Sequence, residues 1–258
     1  NIGTPAMIFY TITTTGVTLD IFISYFAYSL LIVGISAVIG ISVLYLMNKD
    51  PISELPPLIL ANTGNMGIPI CLFAYGTAGL GVAASIASVI ILFHFTVGVF
   101  LAKKSFSFDL LIKNVPTYSI IISVIFLYFN LEVPKFLENV TFLLTYATIF
   151  LILMSLGFAL TRLKVKSWYK AIILGLIRVV IGPVIGLFVI KLFNLSGYSA
   201  GVLLIQSAMP SAVLTYLVGS MYSKKKVVDN VASVIVTSTL MSFITIPIIV
   251  FIALKYFI

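Results

Sequence analysis

Two short stretches carry most of the polar chemistry of this chain. "NTGNMGIP", Asn62 to Pro69, lies in an otherwise apolar run from Leu58 to Tyr75, and "QSAMPS", Gln206 to Ser211, lies in a second run from Ala200 to Tyr222. Amides, hydroxyls, glycine and proline do not by themselves make or break bonds, but they bind. Asn62, Thr63, Asn65, Gln206, Ser207 and Ser211 offer donors and acceptors, Gly67 allows close backbone approach, and Met66 packs beside them. Pro69 and Pro210 interrupt a helix, since proline lacks an N–H and suits the first position of a new one. Unwound backbone at membrane depth is tolerated only where it is buried in protein or lines a cavity. Either stretch alone reads equally well as a kinked helix whose side chains hold its neighbours. The pair points to a binding site in which two half-helices start near Pro69 and Pro210, with Asn65 and Gln206 facing one shared cavity.

Membrane helices must position these stretches. Of 258 residues 61% are hydrophobic and 9% charged, with a mean hydropathy of +1.24, whereas soluble domains carry about 25% charged residues. The apolar runs are continuous rather than alternating, so the fold class is an all-α polytopic membrane protein and not a barrel. Nine segments are predicted: Ile2 to Gly16, Ile21 to Met47, Pro57 to Tyr75, Leu80 to Ala102, Leu111 to Asn130, Phe136 to Leu160, Tyr169 to Leu195, Ala200 to Tyr222 and Val227 to Tyr256. The seven acidic residues fall in loops or at segment ends, which argues against a buried carboxylate proton relay. With one histidine, His94, read as a core residue, and one cysteine, Cys71, the chain offers no metal-ligand cluster and no nucleophile with its base. No enzyme activity and no cofactor are expected.

Basic residues orient the bundle. Eleven of the fifteen lie in alternate loops, around Lys49, Lys103 to Lys113, Arg162 to Lys170 and Lys224 to Lys226. Cytoplasmic loops collect such residues, so Asn1 is placed inside and Ile258 outside, and the net charge of +8 reports topology rather than a nucleic-acid partner. "ASVI" at Ala87 to Ile90 returns at Ala232 to Ile235, and "VIG" at Val38 to Gly40 returns at Val184 to Gly186. With Pro69 and Pro210, these offsets of 141 to 146 residues predict two repeats, 1–102 and 103–258, that enter the membrane from opposite sides. The first repeat then lacks one helix, expected ahead of Ile2.

"ANTGNMGIPICLFAYG" (Ala61 to Gly76), "QSAMPSAVLTYLVGSMY" (Gln206 to Tyr222), "RVVIGP" (Arg178 to Pro183), "GTPAMIFYTI" (Gly3 to Ile12) and "VASVIVTSTLMSFITIP" (Val231 to Pro247) together resemble the auxin efflux carrier, PIN-like family of secondary transporters, in a prokaryotic form. The resemblance implies five plus five helices in inverted repeats, with two proline-broken helices crossing at the substrate site. It also implies a mobile transport domain, about 21–102 plus 169–258, working against a scaffold, about 1–20 plus 103–168, that dimerises.

The expected function is therefore a carrier of a small organic anion, most simply a carboxylate, in the lipid bilayer of the plasma membrane. Na⁺ or H⁺ coupling is left open. A sodium-coupled carrier of the bile-acid type and a non-transporting membrane sensor are the alternatives. Arg178 lies eight residues past Lys170, roughly 12 Å deeper along a helix. Two roles are open to it: bonding helix-end carbonyls, or attracting the anion.

Overall fold

The computed structural model describes residues 2–105 and 108–258, and the side chains of all of these except Phe108 and Asp109. Asn1, expected on the cytoplasmic side, and the carboxylate of Asp109 lie outside the described residues. The described chain is helical apart from loops and one isolated two-residue bridge. In order the helices are α1 (Gly3–Thr13), α2 (Leu19–Leu46), α3 (Pro56–Ile59), α4 (Ile68–Phe93), α5 (Val99–Lys103), α6 (Phe108–Ile112), α7 (Val115–Tyr128), α8 (Lys135–Arg162), α9 (Trp168–Leu192), α10 (Gly197–Ser207), α11 (Val213–Tyr222) and α12 (Lys225–Tyr256). Wider π turns, Thr63–Gly67 and His94–Gly98, lead into α4 and α5.

Among the described residues, five helical runs are long and apolar enough to cross a membrane: α2, the run Thr63–Lys103, α8, α9 and α12. The protein is thus a multi-pass membrane protein. Hydroxyl side chains within these helices bond back to their own turn, as Thr11 to the Met7 carbonyl at 2.6 Å, Ser85 to Gly81 at 2.9 Å and Thr145 to Thr141 at 2.6 Å. These hydroxyls therefore enter the apolar bundle with their donors satisfied.

The run Thr63–Lys103 is two crossings rather than one. Gly76 takes φ +63° and ψ −154° inside α4, a conformation open to glycine and strained for residues bearing a Cβ. A Cβ built on Gly79 would lie 2.6 Å from the Cys71 carbonyl oxygen, whereas residues eight apart in a straight helix stand roughly 12 Å apart along the axis. The chain folds back on itself at Gly76, where the sequence placed the end of one apolar segment and the approach to the next.

Helix packing falls into two groups. α1 packs on α7 and α8; α2, α4, α9, α10 and α12 pack on one another, with α11 against α12 and α5. The groups meet where α1 and α7 touch α4 and where α8 touches the Thr63–Gly67 turn. Four basic loops converge at one end of the second group. Asn230 donates to Glu54 Oε1 at 2.9 Å, Lys104 Nζ lies 3.7 Å from Asp50, Lys166 Nζ lies 2.6 Å from Asp229, and Lys103 sits over the Tyr222 ring. Glu54 is buried there and paired with Lys49 at 3.0 Å. The Ser53 hydroxyl, helped by two backbone N–H groups and by Lys104, holds the Asp50 carboxyl below the usual range against partial desolvation.

Candidate substrate site at a helix crossing

Two breaks in the helices pair with each other. Helix α3 ends at Ile59 and α10 at Ser207, and the extended residues beyond them run antiparallel, Ala61 opposite Ser211. The Asn62 N–H donates to the Pro210 carbonyl at 2.8 Å and the Ala212 N–H to the Leu60 carbonyl at 3.0 Å. Backbone that has left its helix thus finds partners in the other break, as the absence of water requires. The two positions that pair, Ala61 and Ser211, lie 150 residues apart, against 141 for the two prolines. The first break also lies earlier than the sequence suggested. Asn62 is its last residue, Thr63 to Gly67 are already coiled in the π turn, and Pro69 stands in the first turn of α4. Pro210 lies within the second break, three residues ahead of α11.

Arg178 of α9 reaches this crossing from the side. Its Nε donates to the Met209 carbonyl at 3.1 Å, Nη1 to Leu58 at 3.3 Å and Nη2 to Ser207 at 3.1 Å. The side chain is 4% exposed. Of its two expected roles the geometry displays the first, because the guanidinium is spent on carbonyls that the ends of α3 and α10 leave open. The second break is closed in other ways as well. The Ser211 hydroxyl donates to the Pro57 carbonyl at 2.5 Å, and the Ser211 N–H donates to the Ser238 hydroxyl at 3.2 Å. Ser207 bonds back to Leu204 at 2.7 Å. Gln206, Ser207, Pro210 and Ser211 are all buried.

The π turn after the first break opens instead onto a cavity of about 530 Å³, a volume typical of small-molecule sites. Gly64 and Asn65 line it, as do Val213 and Leu214 from the first turn of α11. Thr4, Lys113, Asn114 and Ser155 add polar groups from α1, α8 and the start of α7, and the remaining walls are apolar. Gln206 does not share this space. It faces a separate cavity of about 20 Å³ with Thr63 and Arg178, where its Nε2 donates to the Ala83 carbonyl at 3.3 Å. Gln206 Oε1 and Thr63 Oγ1 have no hydrogen-bond partner in that space, and Asn62 Nδ2 is likewise buried without one. Gly67 lies against the Gln206 amide, and Met66 is half-buried beside Asn65.

Asn65 and Gln206, expected to meet, therefore look into different spaces. The sequence reading missed Lys113 and Asn114 as cavity residues. In the sequence Lys113 is one loop charge among several, and no local pattern sets it apart from the other lysines of the basic loops. His94 is buried, as a core residue should be; it bonds through Nδ1 to the Ile90 carbonyl at 2.7 Å and leaves Nε2 unpartnered.

A helical bundle that pairs two interrupted spans beside a cavity of substrate size has the build of a membrane transport protein. Residues 99–250 match the family described as Membrane transport protein, and the chain belongs to this family, the auxin efflux carrier, PIN-like group its motifs resemble. The matched part contains Arg178 and the second break. Over 200 residues the chain is also 30% identical to a protein of Methanocaldococcus jannaschii described as an uncharacterized transporter, covering 73% of this chain and 64% of that relative's length.

Proposed function

We propose that this protein is a secondary carrier that moves a small organic anion, most simply a carboxylate, by alternating access at the crossing. The observation that carries the reading is the charge around the 530 Å³ cavity. Among the described residues lining it none is acidic and one, Lys113, is basic. The chain turns into helix at two places beside it, in the first π turn, where Gly64 and Asn65 line the cavity, and at Val213. The first N–H groups of a helix have no partner within it and carry about half a positive charge, so both starts favour an anion. Asn65 and Asn114 supply neutral hydrogen bonds for orientation.

In this reading the group α2, α4 and α9 to α12, with α3 and α5, forms the transport domain, about 21–102 plus 169–258. The group α1, α7 and α8 forms the scaffold, about 1–20 plus 103–168, and serves a homodimer. The pairing of Ala61 with Ser211 supports inverted repeats. So does the placement of the two "VIG" glycines: Gly40 of α2 packs on Leu55 and Leu58 ahead of the first break, and Gly186 of α9 packs on Ser207 and Leu204 ahead of the second. The gathering of four basic loops at one end supports a cytoplasmic placement for that end in the plasma membrane.

One observation favours the sodium-coupled alternative. Thr63 Oγ1 and Gln206 Oε1 are unpartnered oxygens beside a small buried cavity at the crossing. Substrate-induced current on a solid-supported membrane separates the readings. Carboxylates are expected to give anion-sign currents without sodium, and their neutral amides none. Equal responses to acid and amide, or sodium-dependent currents of cation sign, overturn the anion carrier. Binding without flux in proteoliposomes identifies a sensor.

A further inference from the structure

In carriers with broken helices, unwound carbonyls and half-helix C-terminal ends form the place where a coupling cation sits. Here the carbonyls of Leu58, Ser207 and Met209 point at one group, the Arg178 guanidinium, at 3.1 to 3.3 Å. No carboxylate among the described residues pairs with that guanidinium. Its charge is met by backbone oxygen alone. Arginine cannot lose its proton in a protein, so the charge is permanent.

We propose that Arg178 is a built-in cation: it holds, covalently attached, the position that a sodium ion would take between the two breaks, and the crossing is assembled without a coupling cation. This goes beyond the anion reading, and it concerns how the crossing is held rather than what the cavity binds. The arrangement explains why the second break can be buried and still keep its carbonyls satisfied. It also assigns the small cavity beside Thr63 and Gln206. At about 20 Å³ it has room for about one water. A water there can accept from the Thr63 hydroxyl and donate to Gln206 Oε1, whereas a second cation would stand beside the guanidinium with no carboxylate to offset the repulsion. The two repeats differ at this point. With the 146-residue "VIG" offset, the counterpart of Arg178 is Ile32, which lines the same small cavity. A single arginine therefore serves both breaks.

The test is thermal melting of purified protein in detergent at equal ionic strength in sodium, potassium or choline chloride. It needs no substrate, so it stands or falls separately from the anion reading. Wild type is expected to melt at the same temperature in all three salts, within about 1 °C. Arg178→Ala is expected to melt about 2–8 °C lower in choline, the shift that the loss of about 1–2 kcal/mol gives in a chain of roughly this size. It should regain part of that loss in sodium, or on addition of a few millimolar guanidinium to the choline buffer. Arg178→Lys, which keeps a compact cation, should lie near wild type and stay indifferent to sodium. Several outcomes overturn the proposal: selective stabilisation of wild type by sodium, an Arg178→Ala variant as stable as wild type, or one that no cation rescues. If Arg178→Ala cannot be produced, wild type and Arg178→Lys still decide, because sodium dependence in either refutes a built-in cation.

Discussion

The two breaks sit face to face and do different work. At the second, Ser207 to Ala212, backbone and hydroxyl groups find protein partners in Arg178, Pro57, Ser238 and the first break. At the first, Asn62 and Thr63 keep side-chain atoms without partners, and Asn65 projects into the cavity. Both segments carry an interrupted helix with amide and hydroxyl side chains. What distinguishes them is the neighbour. Arg178 and α12 enclose the second break, while the first is followed by a π turn that faces α8 and the cavity between the two helix groups. Matching motifs thus mark matching geometry without marking matching surroundings: one break is closed by protein partners, and the other, in the proposed reading, meets the ligand.

Gly182→Val tests the holding role with the largest expected effect. A Cβ at Gly182 falls onto the Ser207 carbonyl oxygen, so a branched side chain drives α9 away from the second break and pulls Arg178 with it. Overpacking of this kind costs about 1–3 kcal/mol, occasionally more, and the upper part of that range is expected as a fall in melting temperature. A variant that melts like wild type removes the distinction between the breaks.

Asn65→Ala addresses the other half of the comparison. Affinity for a carboxylate substrate should fall about tenfold, or 1.4 kcal/mol, while stability stays within about 0.5 kcal/mol of wild type. Titration calorimetry together with melting reads both quantities, and a stability loss without an affinity loss reverses the assignment.

Ser211→Ala sharpens the contrast on a smaller scale. Removing the hydroxyl that donates to Pro57 should cost about 1 kcal/mol of stability and leave affinity unchanged. If affinity falls instead, the second break also touches substrate.

The smallest effect is expected away from the crossing, at Asp50. Its carboxyl titrates below the ordinary range, so the charged form stabilises the folded state. That contribution is present above the ordinary carboxylate pKa of about 3.9 and is lost as pH falls through the lowered folded value. The side chain is 41% exposed, which keeps the contribution small through solvent screening. The difference in melting temperature between wild type and Asp50→Asn should shrink as pH is lowered from about 5 to below 4. A constant difference would show that the Ser53 contact matters for shape and not for charge.

Much of this was legible in the sequence, and the remainder was not for physical reasons. Continuous apolar runs announced the long helices, and Asn, Gln and Pro inside them announced the breaks. The position of the first break was hidden because a π turn keeps Thr63 to Gly67 coiled despite two glycines and an asparagine, so composition there suggested unwinding that occurs instead at Leu60 to Asn62. Arg178 was visible as a deep charge, but its partners are main-chain carbonyls, which every residue possesses and no sequence marks. The division between Asn65 and Gln206 depends on which way each turn faces. Lys113 gained its place on the cavity only through the packing of α7 against α1, a long-range contact with no local pattern.

In the proposed carrier, whose two helix groups slide past one another, the short connection between α8 and α9 sets a limit on movement. Five residues, Leu163 to Ser167, join the two helix groups there, and Lys166 in the middle is pinned: its N–H donates to the Ser233 hydroxyl at 3.1 Å and its ammonium to Asp229 at 2.6 Å. Only Leu163 to Val165 remain as free tether. Three extended residues reach roughly 10 Å, so at this end the stroke of one group past the other is capped near that length while Lys166 stays docked. In the proposed carrier a longer stroke would require Lys166 to let go of α12 first.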